Sequence, residues 1–102
     1  MREMKNFKDI EFKRHPHGYG IQGSLTVNGH ILSVVAGEGL YSEPRKNLTS
    51  PDDFESFEVG IFNDKGDFVT NDFLPIGDDI AGWQSREMID MILVRMQTLT
   101  IS

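Results

Sequence analysis

The sequence predicts an α+β fold: an antiparallel sheet of four to five strands, built from two β-hairpins plus an N-terminal strand, with one C-terminal helix packed on one face. Three observations predict it. Asn28-Gly29 stands between apolar runs, Leu25 and Val27 before it and Ile31, Leu32, Val34 and Val35 after it. That is the strongest short-range signature of a two-residue type I′ hairpin, whose central residues both need positive φ. Phe57, Val59 and Ile61 alternate with Glu58 and Gly60, the pattern of a half-buried strand. Met88, Ile89, Ile92, Leu93, Met96 and Leu99 recur at three- and four-residue spacing, with Arg86, Glu87, Asp90, Arg95 and Gln97 on the opposite side. This is an amphipathic helix.

Residues 1–6 are expected to be disordered, and Phe7 to Lys13 to form a weak strand whose best apolar positions are Ile10 and Phe12. His15-Pro16-His17-Gly18 ends it, because proline and glycine punctuate a chain. Strands over about 19–27 and 30–36 follow, joined by the Asn28-Gly29 turn. A two-residue loop sets Val27 opposite His30, Leu25 opposite Leu32, Gly23 opposite Val34 and Ile21 opposite Ala36. This drier face should meet the core. Thr26 with Ile31, Ser24 with Ser33 and Gln22 with Val35 make the other face.

Residues 38–56 read as a long loop with one short helical turn. Ser50 can cap that turn, Pro51 suits its first position, and Asp52 and Asp53 suit the positive end of its dipole. The second hairpin runs from Phe57–Phe62 through Asn63-Asp64-Lys65-Gly66 to Asp67–Thr70. Its loop is either a type I turn with a Gly66 bulge or a four-residue loop, and the two place Phe68 on opposite faces. Asp78 to Gly82 is expected to form a separate turn. The helix runs from about Ser85, a good cap, to Leu99. Trp83 reads as packing at the helix start, with an exposed anchor as the alternative.

A chain of 102 residues with 38% apolar and 25% charged content supports a single domain, 1–102. The absence of cysteine excludes disulfides and thiolate-ligated zinc. No stretch resembles a signal peptide or approaches the roughly 18 apolar residues of a spanning helix, so a cytoplasmic location without a membrane partner is expected. Net charge is −6, and it is unevenly spread. Residues 1–51 carry a net +2 and residues 52–102 a net −8. An acidic face disfavours nucleic acid and favours encounter with a basic protein surface.

Motifs for chemistry are sparse. His15 and His17 offer two imidazoles, and His30 stands apart at a hairpin end; a metal site needs a third ligand. Asp52-Asp53 and Asp78-Asp79 are sequence neighbours, whereas acid–base pairs converge across a cleft. Gly37-Glu38-Gly39 lacks the downstream pattern of a phosphate loop. No serine or threonine sits in a recognisable nucleophile motif. No enzymatic activity, cofactor or metal is therefore expected. The interaction candidates are Tyr41, Arg45 and Lys46, an aromatic and two cations in the long loop, and the acidic residues Asp52, Asp53, Asp78 and Asp79.

Ser33-Val34-Val35-Ala36-Gly37-Glu38-Gly39-Leu40-Tyr41, then Phe57 to Phe62 with Gly66 to Val69, then Asp79-Ile80-Ala81-Gly82-Trp83 before a terminal helix, form a pattern that resembles small uncharacterised proteins of bacteriophages and prophages. The resemblance spans roughly residues 18–99 and carries over no catalytic residue. It implies a small accessory protein working in a bacterial host cytoplasm. The expected function is that of a non-enzymatic binding protein, engaging a host or phage macromolecule through an acidic surface, with the 38–56 loop as a specificity element. The alternative is a self-associating structural or scaffold protein. Ile31, Val35 and Phe62 make the outer sheet face more apolar than solvent requires, and open edge strands can pair.

Overall fold

Asn28 and Gly29 adopt φ angles of 50° and 79°, as a type I′ turn demands. The computed structural model, which describes residues 5–16, 20–74 and 76–98, builds the sheet outward from that turn. Strands β2 (Ile21–Val27) and β3 (His30–Ala36) pair in the expected register, with Val27 opposite His30 and Ile21 opposite Ala36. β1 (Glu11–Arg14) adds to β2, β4 (Phe57–Phe62) to β3, and β5 (Ala81–Gln84) to β4. The result is a five-stranded antiparallel sheet in the order β1-β2-β3-β4-β5.

One face of the sheet carries Leu32, Val34, Val59 and Ile61, all fully buried. Helix α2 (Arg86–Thr98) lies on it through Ile89, Ile92, Leu93 and Met96. Each such side chain contributes about 1.5–3 kcal/mol before entropy is subtracted. Ser85 caps α2, its hydroxyl accepting from the Met88 N–H. At the other end the Asn28 side-chain amide donates to the carbonyls of Met96 and Gln97, at 3.1 and 3.3 Å. Asn28 thus makes the turn and also satisfies carbonyls that a helix end leaves without intrahelical partners.

The N-terminal segment differs from a single strand over 7–13. Phe7–Asp9 forms a 3-10 turn with a capping box on Asn6, and only Glu11–Arg14 pairs as a strand. Reciprocal bonds tie this segment to α2: Asp90 accepts from the Phe7 N–H, and Gln97 exchanges hydrogen bonds with the backbone of Lys5. Of residues 1–6, expected to be disordered, 1–4 lie outside the described residues. Pro51–Asp53 forms the expected short turn, with Ser50 accepting from the Asp52 N–H.

The second hairpin is the main correction. Its loop is a type I turn closed by Gly66, at φ 85°, with Gly66 N–H donating to the Asn63 carbonyl and Asn63 N–H to the Asp67 carbonyl. Residues 67–70 then make one isolated bridge, Phe62 to Phe68, rather than a strand. Thr70 explains why. Its buried hydroxyl accepts from the Ile61 N–H at 2.8 Å and donates to the Asp79 carbonyl at 2.6 Å. A side chain thereby takes the place of a backbone partner, and the chain turns into the single helical turn α1 (Thr70–Phe73).

The edge of β4 left open is taken by Ala81–Gln84, which was expected to be part of a turn and the lead into the helix. Two further expectations change. Met88 is exposed, so the buried stripe of α2 is Ile89, Ile92, Leu93 and Met96; Leu99 lies outside the described residues. Trp83 is 53% exposed and does not pack at the helix start.

Candidate functional site

The sheet face opposite α2 is uncovered and carries the alternate residues of β3 and β4. Register sets Ile31 beside Phe62, Ser33 beside Gly60 and Val35 beside Glu58. Phe68 folds over this face, its ring tilted against Phe62 with centroids 4.4 Å apart. The type I turn with the Gly66 bulge is what delivers it there. Leu40 and Ile80 close the sides of a shallow groove of ≈ 170 Å³, which His15 also lines. That volume is below the roughly 300–1,000 Å³ of pockets that engulf a small molecule. It suits side chains presented by another macromolecule.

Beyond Glu58 the groove leads to an aromatic pair, Tyr41 and Trp83. The Tyr41 N–H donates to the Glu58 carboxylate at 3.1 Å, and the Trp83 N–H donates to the Tyr41 carbonyl at 2.9 Å. The two rings pack in a tilted pair with centroids 5.0 Å apart, and the Arg45 guanidinium lies 5.7 Å from the Tyr41 ring. A cation over an aromatic face is attracted by the ring quadrupole. Gly82 permits the contact, since a Cβ there would lie 2.7 Å from the Tyr41 Cβ. Buried Ser42 fastens the loop beneath, accepting from the Gly37 N–H and donating to the Pro44 carbonyl.

Trp83 itself has a φ of 52°, a conformation that costs a bulky residue about 1–3 kcal/mol. The strain arises where β5 meets β4. Phe57 pairs with Gln84 and Val59 with Ala81, so β5 carries one residue more than β4 between the same two pairs. The bulge turns Trp83 toward Tyr41 and out into solvent.

The structure distributes the interaction candidates unequally. It brings Tyr41 and Arg45 together; Lys46 is exposed in the same loop. Asp78 and Asp79 are exposed and directly precede Ile80, which lines the groove; they are not among its lining residues. Asp52 and Asp53 sit elsewhere, on the Pro51–Asp53 turn near the start of α2. Asp52 there lines a second groove of ≈ 560 Å³ with Phe7, Phe12, Arg86 and Asp90. Two of its polar side chains hold the segments around it: Arg86 lies over the Phe7 and Phe57 rings and donates to the Pro51 carbonyl, and Asp90 accepts from the Phe7 N–H. That groove is a joint between the N-terminal segment and the helix.

Sequence reasoning missed Glu58, Phe68, Ile80 and the placement of Trp83. The apolar excess of Ile31, Val35 and Phe62 was the available signal for this face. His17 lies outside the described residues, and among the described residues no three histidine or carboxylate side chains converge as metal ligands would. Among the same residues no helix is long and apolar enough to cross a membrane.

No family model matches this chain. Nor does any curated protein or solved structure match it. The functional reading therefore stands on the geometry of the site.

Proposed function

We propose that the protein is a binding protein that engages another protein through the uncovered sheet face, with Tyr41, Trp83 and Arg45 as the anchor. The observation carrying this reading is Trp83: a large aromatic held in a left-handed backbone conformation and kept half in water by a bulge. Folding alone favours a glycine at such a position. Tyr, Trp and Arg are the side chains on which interface energy concentrates. Glu58 lines the groove, and Asp78 and Asp79 stand exposed next to Ile80 in the chain, so the complementary partner carries basic groups around an apolar centre. Function is then contact without bond-making. The resemblance to phage and prophage proteins supports placing that contact in a bacterial host cytoplasm.

The test is affinity capture from bacterial lysate with wild-type, Trp83→Gly and Asp78→Lys/Asp79→Lys baits, followed by titration of Trp83 fluorescence with the captured protein. Trp83 is the chain's one tryptophan, so its emission reports this site. Trp83→Gly should keep a melting temperature within a few degrees of wild type, because relief of strain offsets the lost aromatic pair, worth about 0.5–1.5 kcal/mol. It should lose the partner. The charge-reversed bait should bind at least about tenfold more weakly at low salt, and the wild-type complex should weaken as salt rises. Equal capture by all three baits would exclude this face.

A further inference from the structure

Helix α2 is built to cover the sheet with one side, yet its other side is only partly polar. Met88, Met91 and Val94 are exposed along it, and Met91, at 63%, is the most exposed large apolar side chain of the described residues. Glu87 and Arg95 flank the three and are exposed as well. Their order is symmetric about Met91. Met88 and Val94 lie three residues to either side of it, and Glu87 and Arg95 four.

We infer that this face binds a second copy of the same chain, with two α2 helices packed antiparallel across a twofold axis at Met91. In an antiparallel pair centred there, residues equally distant from Met91 on opposite sides face each other. Met91 then meets Met91 of the second copy, Met88 meets its Val94, and Glu87 meets its Arg95. Every apolar position finds an apolar one, and each acid finds a base. Glu87 in the first turn and Arg95 in the last also suit the helix dipole; the antiparallel pairing brings these same two charges, exposed at mirrored positions, within reach of each other across the axis. Residues three and four apart share one helix face, so all five positions lie on a single seam.

The neighbouring structure prepares the seam. Leu74, Gln84, Met88, Met91, Ile92 and Arg95 line a shallow hollow of ≈ 160 Å³, and an unbranched methionine adapts well to such a space. Arg95 donates Nη1 to the Phe73 carbonyl at 3.0 Å, which holds the guanidinium at the rim. A guanidinium has five N–H donors, so that bond leaves others for the carboxylate of Glu87 across the axis. A contact of one helix pair is at the small end of specific interfaces, the class of transient, concentration-dependent contacts.

Sedimentation of the full chain over a broad concentration range tests the inference. A monomer–dimer equilibrium is expected. Met91→Asp, which sets two carboxylates against each other on the axis, should weaken dimerisation at least about tenfold with little change in melting temperature, because the position is exposed. Glu87→Arg should weaken it, and Glu87→Arg with Arg95→Glu should restore affinity to within a few-fold. In this cysteine-free chain, Met91→Cys should form a disulfide-linked dimer under mild oxidation far faster than Thr26→Cys, on the opposite sheet face. A monomer at every concentration, a dimer indifferent to Met91→Asp, or equal cross-linking at position 26 would overturn it.

Discussion

Thr70 is the residue whose side chain most changes the course of the chain. By accepting from the Ile61 N–H and donating to the Asp79 carbonyl, its hydroxyl ends the second hairpin after one bridge and joins β4 to the segment leading into β5. Thr70→Val keeps the shape and removes both bonds. The Ile61 N–H is then buried without a partner, and such groups cost about 1–3 kcal/mol. A loss of that size in denaturant unfolding is expected, with the slope unchanged; a stability equal to wild type would mean that water replaces the hydroxyl. Trp83 is the opposite case. Thr70 relieves an unmet backbone need, whereas at Trp83 the β5 bulge imposes a left-handed backbone and water exposure on a large aromatic, where folding alone favours glycine.

Among the elements, the β2–β3 hairpin does most to organise the fold. It sets the register that sends Leu32 and Val34 to the helix side and Ile31, Ser33 and Val35 to the open side. Slippage by one residue would exchange those faces. Replacing Asn28-Gly29 by Val-Val forces two β-branched residues to positive φ and removes the bonds from Asn28 to the end of α2. A cost on the order of 1–3 kcal/mol is expected, lowering the melting temperature by several degrees. Asn28→Gly separates the contributions. It tolerates the turn and loses only the helix contacts, so its cost should be under about 1.5 kcal/mol. If Asn28→Gly is as damaging as Val-Val, the side-chain tie rather than the backbone conformation is what matters.

At the scale of the whole molecule, the two proposed contact surfaces lie on opposite sides. α2 separates the Met91 seam from the core, and the sheet separates the core from the Trp83 groove. Sites with no shared partners behave additively. Met91→Asp should therefore capture the same partner as wild type, and Trp83→Gly should dimerise with unchanged affinity. Fluorescence titration and lysate capture with Met91→Asp, and sedimentation of Trp83→Gly, test this independence. Coupling of either surface to the other would place part of the binding site at the dimer seam.

Asn28-Gly29, the alternation of Phe57 to Ile61 and the spacing of Ile89 to Met96 are short-range patterns. Each is settled by backbone sterics or by which side of one element is apolar, and each was legible in the chain. So were the Ser50 and Ser85 caps, which need only their own next three residues. The candidate site was legible only in pieces: Tyr41 with Arg45, and the apolar excess of Ile31, Val35 and Phe62. Two segments competed for the same edge of β4, and residues 67–70 had the nearer claim. Tertiary packing gave that edge to Ala81–Gln84, because the Thr70 hydroxyl satisfied Ile61 and turned the nearer segment away. The same choice put a bulge at Trp83 and brought Tyr41 against Gly82 across 41 residues of chain. Local pattern determines what each element is. Which elements meet, and which aromatic is left facing water, depends on contacts between residues far apart in the chain, and those exist only once the sheet has closed.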